Sequence, residues 1–235
     1  MDRSKPGLNR SMFPLKDNIP TDKKPIVTVA IIAANLLIFF YQLSLGENLN
    51  FFLFKYGAIP FEITHGQEVT SQAAVPIPLT LFTAMFLHGG WMHVIGNMWY
   101  LWIFGNNVED KLGHFRFVVF YFLAGLIASL TYVATNANSQ VPMIGASGAI
   151  AGVLGAYIIT FPQARVLTLI WFGFFVRIVA IPALYVLGFW FIIQLLNGLP
   201  AIGANITGGV AWFAHIGGFV AGMGLFKVMK LLNKI

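Results

Sequence analysis

Ionisable groups inside apolar membrane-spanning sequence are costly and are functional candidates by default. Three histidines of this chain lie in or beside such sequence, His88, His93 and His215, with Asn97 and Ser147 as non-ionisable companions. A neutral serine hydroxyl is a poor nucleophile and needs an adjacent base to take its proton. His215 is the only histidine in the second half of the sequence, so it is the candidate base for Ser147. An oxyanion developing on an attacked carbonyl needs hydrogen-bond donors. His93 and Asn97 are spaced i, i+4 and share one helix face. The Ser147 amide, at the start of a helix, adds a third donor with a favourable dipole. His88 either supports the same helix end through hydrogen bonds or is an interfacial polar residue. Serine hydrolases often add a carboxylate that orients the histidine. Glu109 and Asp110 fall at the far end of the helix carrying Asn97, so a dyad is predicted, with the imidazole held by packing.

The neighbours of these residues are small. Ser147 lies in Gly145-Ala146-Ser147-Gly148, followed by Ala151, Gly152 and Gly155, and His215 lies in Ala214-His215-Ile216-Gly217-Gly218, followed by Ala221 and Gly222. Small residues at i and i+4 let transmembrane backbones approach closely. Two such faces, each beside a polar residue, would bring hydroxyl and imidazole within reach. The serine is not the elbow of an α/β-hydrolase, which needs glycine two positions on; that position is Ala149.

The elements that must hold these residues follow from composition. Hydrophobic residues make up 58% of the 235, charged residues only 9%, and the mean hydropathy is +0.78. Soluble domains carry roughly 25% charged residues, so membrane residence follows. Cysteine is absent, which excludes disulfides and thiolate metal sites. Apolar runs and their breakers predict an all-α polytopic bundle with spans at 26–44, 87–107, 115–134, 147–161, 179–197 and 208–230. Residues 1–25 form a basic segment without the apolar core of a secretory signal, and 26–235 form the membrane domain. The stretch 166–176 is too short to cross and is bracketed by Arg165 and Arg177, so it is expected to lie at the interface. The 45–86 loop, with Phe51, Phe52, Phe54 and Phe61, is expected to lie in the outer interface.

Of the fourteen Lys and Arg residues, all but Lys55 fall on one side of this layout. Such a positive-inside bias places both termini in the cytoplasm and the protein in the cell membrane. The net charge of +6 is therefore topology, with attraction to anionic lipid rather than to nucleic acid. Paired charges or helices broken in matching halves, expected of a transporter, are not evident. Spans two, four and six all run from outside to inside, so His93, Ser147 and His215 approach from one face. Helix rise puts Ser147 about 8 Å and His215 about 10 Å below the outer surface. One shared site is predicted.

The run His88-Gly-Gly-Trp-Met-His93-Val-Ile-Gly-Asn97, the GASG at 145–148 and Ala-His-Ile-Gly-Gly at 214–218 resemble the rhomboid family of intramembrane serine proteases. Val108-Glu109-Asp110-Lys111-Leu112-Gly113 adds to the resemblance, which extends over about 79–232. It implies cleavage of single-span membrane proteins near the outer leaflet, with no metal or cofactor. Ser147 would be the nucleophile, His215 the base, and His93 and Asn97 oxyanion-hole residues. It also implies sideways substrate entry between spans two and five, close to 199–209. Many members carry Trp-Arg before the second span, where this chain has Pro78-Leu79-Thr80-Leu81-Phe82. Some place a tyrosine four residues after the serine, stacked on the base; that position is Ala151, so another group must orient His215. The alternative is a catalytically inactive rhomboid-like protein that binds transmembrane helices.

Overall fold

The computed structural model describes residues 11–69, 74–172, 175–201 and 210–233. Its nine α-helices within these residues are α1 (Ile26–Ser44), α2 (Leu49–Tyr56), α3 (Pro60–His65), α4 (Thr80–Thr83), α5 (Trp91–Leu112), α6 (His114–Thr135), α7 (Ser147–Thr160), α8 (Ala183–Gly198) and α9 (Trp212–Asn233). Three of them, α1, α6 and Trp212–Leu232 of α9, are long and apolar enough to cross a bilayer; α7 and α8 are shorter apolar helices. These helices lie within or near the predicted spans. The loop between α1 and α5 is built largely of short helices. It is tied down by Phe61 N–H donating to Ser139 O at 2.9 Å and by paired backbone bonds between Ala58 and Met143.

α7 is the centre of the bundle, with Gly148 to Tyr157 all buried. At 14 residues it is about 21 Å long, and it packs against α5, α6, α8 and α9. Its contact with α9 is backbone to backbone. A Cβ on Gly218 would overlap the Gly148 carbonyl, and one on Gly222 would overlap that of Gly152. In an apolar solvent helices gain nothing by hiding oil from oil, so close packing of small residues does the joining. α5 and α6 are linked through the single residue Gly113, whose φ of +77° suits glycine. Around this centre Leu37, Phe115, Tyr185, Phe189 and Leu196 face outward, as an apolar solvent permits.

The expectation of an all-α fold is corrected by a three-stranded antiparallel sheet. Its strands are β1 (Ser11–Asp17), β2 (Arg165–Phe172) and β3 (Phe175–Pro182), in the order β1-β2-β3. Within the stretch 166–176, residues 166–172 thus belong to β2 and 175–176 to β3, and the first four residues of the predicted fifth span, 179–182, belong to β3. The reason is chemical as well as topological. Arg165–Phe172 and Phe175–Pro182 are rich in β-branched and aromatic residues, which favour a pleated surface. An apolar segment too short for a spanning helix must still pair its backbone. The basic N-terminal segment supplies the other partner, from Ser11 opposite Trp171 to Asp17 opposite Val166. Pro14 fits because β1 is an edge strand.

Candidate active site

Polar side chains gather at the two ends of the bundle. The end of interest contains the first turns of α5, α7 and α9 and the last turns of α1 and α8, an alternation that antiparallel helices require. Ser147 is the first residue of α7. His215 lies one turn into α9 and is 8% exposed. Ser147 Oγ and His215 Nε2 are 2.8 Å apart. The glycine contacts of α7 with α9 begin one residue beyond Ser147, and they make this distance possible.

The other imidazole nitrogen is also occupied. His215 Nδ1 is 2.7 Å from Gln194 Oε1, and Gln194 Nε2 donates to Trp190 O at 3.1 Å. Trp190 and Trp212 flank the imidazole, with ring centroids 5.6 and 6.5 Å from it. The packing expected around His215 is thus accompanied by a hydrogen bond from α8, at the place where another group was expected to orient the ring. Gln194 escaped the sequence reading, which weighed ionisable groups, Asn97 and Ser147. The available signal was a glutamine near the end of the fifth apolar run, three residues before Asn197.

His93 and Asn97 lie on the α5 face turned to this pair. A Cβ built on Gly145 would meet His93 Nε2 at 2.6 Å and Asn97 Nδ2 at 3.7 Å, so both nitrogens border the backbone two residues before Ser147. Gly145 has φ +123°; conformation and space both require glycine there. The Gly89 amide donates to His93 Nδ1 across 3.4 Å, which leaves the ring proton on Nε2, the nitrogen facing Gly145. In α7 the first amide to find a carbonyl one turn back is Ile150, bonded to Ala146 O at 3.0 Å. The Ser147 amide belongs to the unpaired first turn.

His88 is buried, and of its two readings the supporting one fits. Its Nε2 accepts from Asn97 Nδ2 at 2.9 Å. Its backbone makes a reciprocal pair with the Gln42 amide of α1, each bond 3.0 Å long. A second chain of contacts thus runs from α1 through His88 to Asn97. Beside it lies a cavity of about 180 Å³ lined by His93, Asn97, Tyr100, Ser147, Trp190 and His215, among others. Ala151 is fully buried, and its methyl leaves the flank of His215 to Trp190. The predicted entry region lies mostly in 202–209, outside the described residues.

A helical membrane protein with a serine and a histidine meeting at hydrogen-bonding distance between two close-packed helices is the class that fold and geometry define. A family model for the rhomboid domain matches residues 78–230, and the chain belongs to the rhomboid family. Similar proteins include the rhomboid protease GluP of Bacillus subtilis, 31% identical over 185 residues, which cover 79% of this chain and 34% of that protein. The mouse mitochondrial presenilin-associated rhomboid-like protein is 32% identical over 155 residues, covering 62% and 36%. RHOMBOID-like protein 5 of Arabidopsis thaliana is 37% identical over 76 residues, covering 32% and 25%. The chain thus matches only about a quarter to a third of the length of these relatives.

Proposed function

We propose that this protein is an intramembrane serine endopeptidase that cleaves transmembrane segments near the outer leaflet through Ser147 and His215. The observation that carries the reading is the 2.8 Å approach of Ser147 Oγ to His215 Nε2. In this mechanism Nε2 takes the hydroxyl proton as Oγ attacks a peptide carbonyl, and the carbonyl oxygen becomes an oxyanion. His93 Nε2–H, Asn97 Nδ2–H and the Ser147 amide stabilise that oxygen. The proton on Nε2 then passes to the departing amine, leaving an acyl group on Ser147. Water, activated by the same nitrogen, hydrolyses it and restores both residues.

The membrane arrangement belongs to the same proposal. Helices α1 and α5 to α9 are the six spans, with 26–235 as the membrane domain of a cell-membrane protein and both termini cytoplasmic. The thirteen basic residues assigned to one side support this orientation. Substrates are membrane-spanning helices that unwind near the outer surface, within surrounding lipid, and no nucleic acid or cofactor is involved.

The test is cleavage of a model single-span substrate by the reconstituted protein, compared with Ser147→Ala and His215→Ala. Each variant should fall by at least about 10³-fold, as in serine hydrolases that lose one member of a nucleophile–base unit. Survival of cleavage in either variant would overturn the dyad. A fluorophosphonate probe that fails to label Ser147 would instead favour the inactive helix-binding alternative.

A further inference from the structure

We propose that Gln194 is the positioning residue that fixes the tautomer and ring orientation of His215. The proposal rests on reading Ser147 and His215 as nucleophile and base. It deepens that reading by assigning the third group, which the sequence left without a candidate.

For Nε2 of His215 to accept the Ser147 proton, it must be unprotonated, so the ring proton must sit on Nδ1. Something has to select that tautomer. Nδ1 lies 2.7 Å from Gln194 Oε1, but a glutamine amide can be turned either way, and its two ends have opposite meanings. The second bond of Gln194 decides between them. The Trp190 carbonyl, 3.1 Å from the amide nitrogen, can only accept. Turning the amide over would set two oxygens against each other there. The amide nitrogen is therefore committed to Trp190 and the oxygen to His215. An oxygen without a proton can only accept, so Nδ1 donates and Nε2 is left free for Ser147.

Burial gives this arrangement its force. Gln194 and His215 are 4% and 8% exposed, so water is a poor competitor for the Nδ1 nitrogen that Gln194 faces. Among the described residues no hydrogen bond joins a carboxylate to His215. A self-satisfied glutamine would need only the carbonyl one turn back, as Asn197 shows by donating to Ile193 O at 2.7 Å. The oxygen of Gln194 instead reaches another helix. As a neutral acceptor it orients the ring without burying an anion, whose desolvation in this setting would be costly. It also couples α8 to the base, because any movement of α8 relative to α9 breaks the bond.

The tautomer can be measured directly. The full chain, labelled with 15N-histidine in detergent micelles, should show His215 with its proton on Nδ1 at neutral pH, assigned against His215→Asn. Gln194→Met keeps the volume and removes the acceptor, and should move His215 toward the Nε2–H form. Its kcat should fall about 10- to 100-fold, less than the roughly 10⁴ that a wrong tautomer costs a triad with a buried carboxylate. KM should stay within about twofold, because substrate contacts are untouched. Gln194→Glu in its neutral form, with its hydroxyl donating to Trp190 O and its carbonyl oxygen accepting from Nδ1, should recover the Nδ1–H form and most of the cleavage.

An Nε2–H tautomer in the unmodified protein overturns the proposal without any variant. So does an unchanged tautomer, or undiminished cleavage, in a folded Gln194→Met. Absence of Ser147-dependent cleavage in the unmodified protein would sink the protease reading instead, while the nitrogen shifts would still report on Gln194.

Discussion

Ser147 bonds to His215, and His215 bonds in turn to Gln194, whereas the proposed oxyanion donors are held by a longer chain. Asn97 leans on His88, whose backbone is clamped by Gln42. The Nδ1 of His93 accepts from the Gly89 amide. Donors fixed in advance cost no reorganisation when charge develops. His93→Ala and Asn97→Ala are therefore expected to lower kcat by about 10²- to 10³-fold with KM little changed. Initial rates on a single-span substrate check this, and a variant that retains full kcat removes its residue from the oxyanion hole. The types and i, i+4 spacing of these residues were legible in the sequence. Gln194 was not, because a glutamine in an apolar run signals only that it has found some partner.

At the scale of elements, the decisive contact is α7 against α9. Its residues are glycines whose missing side chains let backbone meet backbone. Gly222→Ala forces a methyl into the Gly152 carbonyl, which neither helix can clear without moving. Overpacking of this kind costs about 1–3 kcal/mol, and here it would also separate Ser147 from His215. Gly224 is on the same helix, yet a Cβ there meets nothing within 4 Å. Thermal unfolding in detergent should show a lower Tm for Gly222→Ala and an unchanged or higher one for Gly224→Ala. Equal behaviour of the two would mean that helix propensity, not the crossing, governs these positions.

Across the whole molecule, the end opposite the site is a second polar layer that docks the sheet and the start of α1. Glu109 accepts from the Val27 and Thr28 amides, the Thr28 hydroxyl and His114, all within 2.9 Å. It thereby caps α1 from another helix. Asp17, the last residue of β1, accepts from Asn107 of α5 and Tyr157 of α7, each at 2.6 Å. Burial pushes the Asp17 carboxyl above the ordinary carboxylate range, against the lowering effect of its hydrogen bond from Tyr157. The folded protein then holds this proton more tightly than the unfolded chain. The contribution is fully present below the unfolded pKa and is lost as pH rises through the folded one. Asp17→Asn lacks this titration. Relative to it, the unsubstituted protein should lose stability as pH climbs through that window and then level off. Tm series of both proteins measure this, and parallel series would show that Asp17 does not titrate on folding.

The apolar runs, the uneven distribution of basic residues among the segments between them, and Ser147, His215, His93 and Asn97 as candidates can all be read along the chain. They depend on hydropathy, spacing and residue type, which are local properties. Three things needed the assembled fold. One is the sheet: whether the apolar residues after Arg165 merely lie at an interface or pair as a strand depends on a partner strand about 150 residues earlier in the chain. Another is the pairing of Asp17 with Tyr157, 140 residues apart. The last is Gln194 against His215, where the choice between a structural and a positioning glutamine turns on which neighbouring helix its oxygen meets. Polar atoms in an apolar medium must find partners, but hydropathy is blind to which ones. That is settled by how closely the glycine faces let the helices approach.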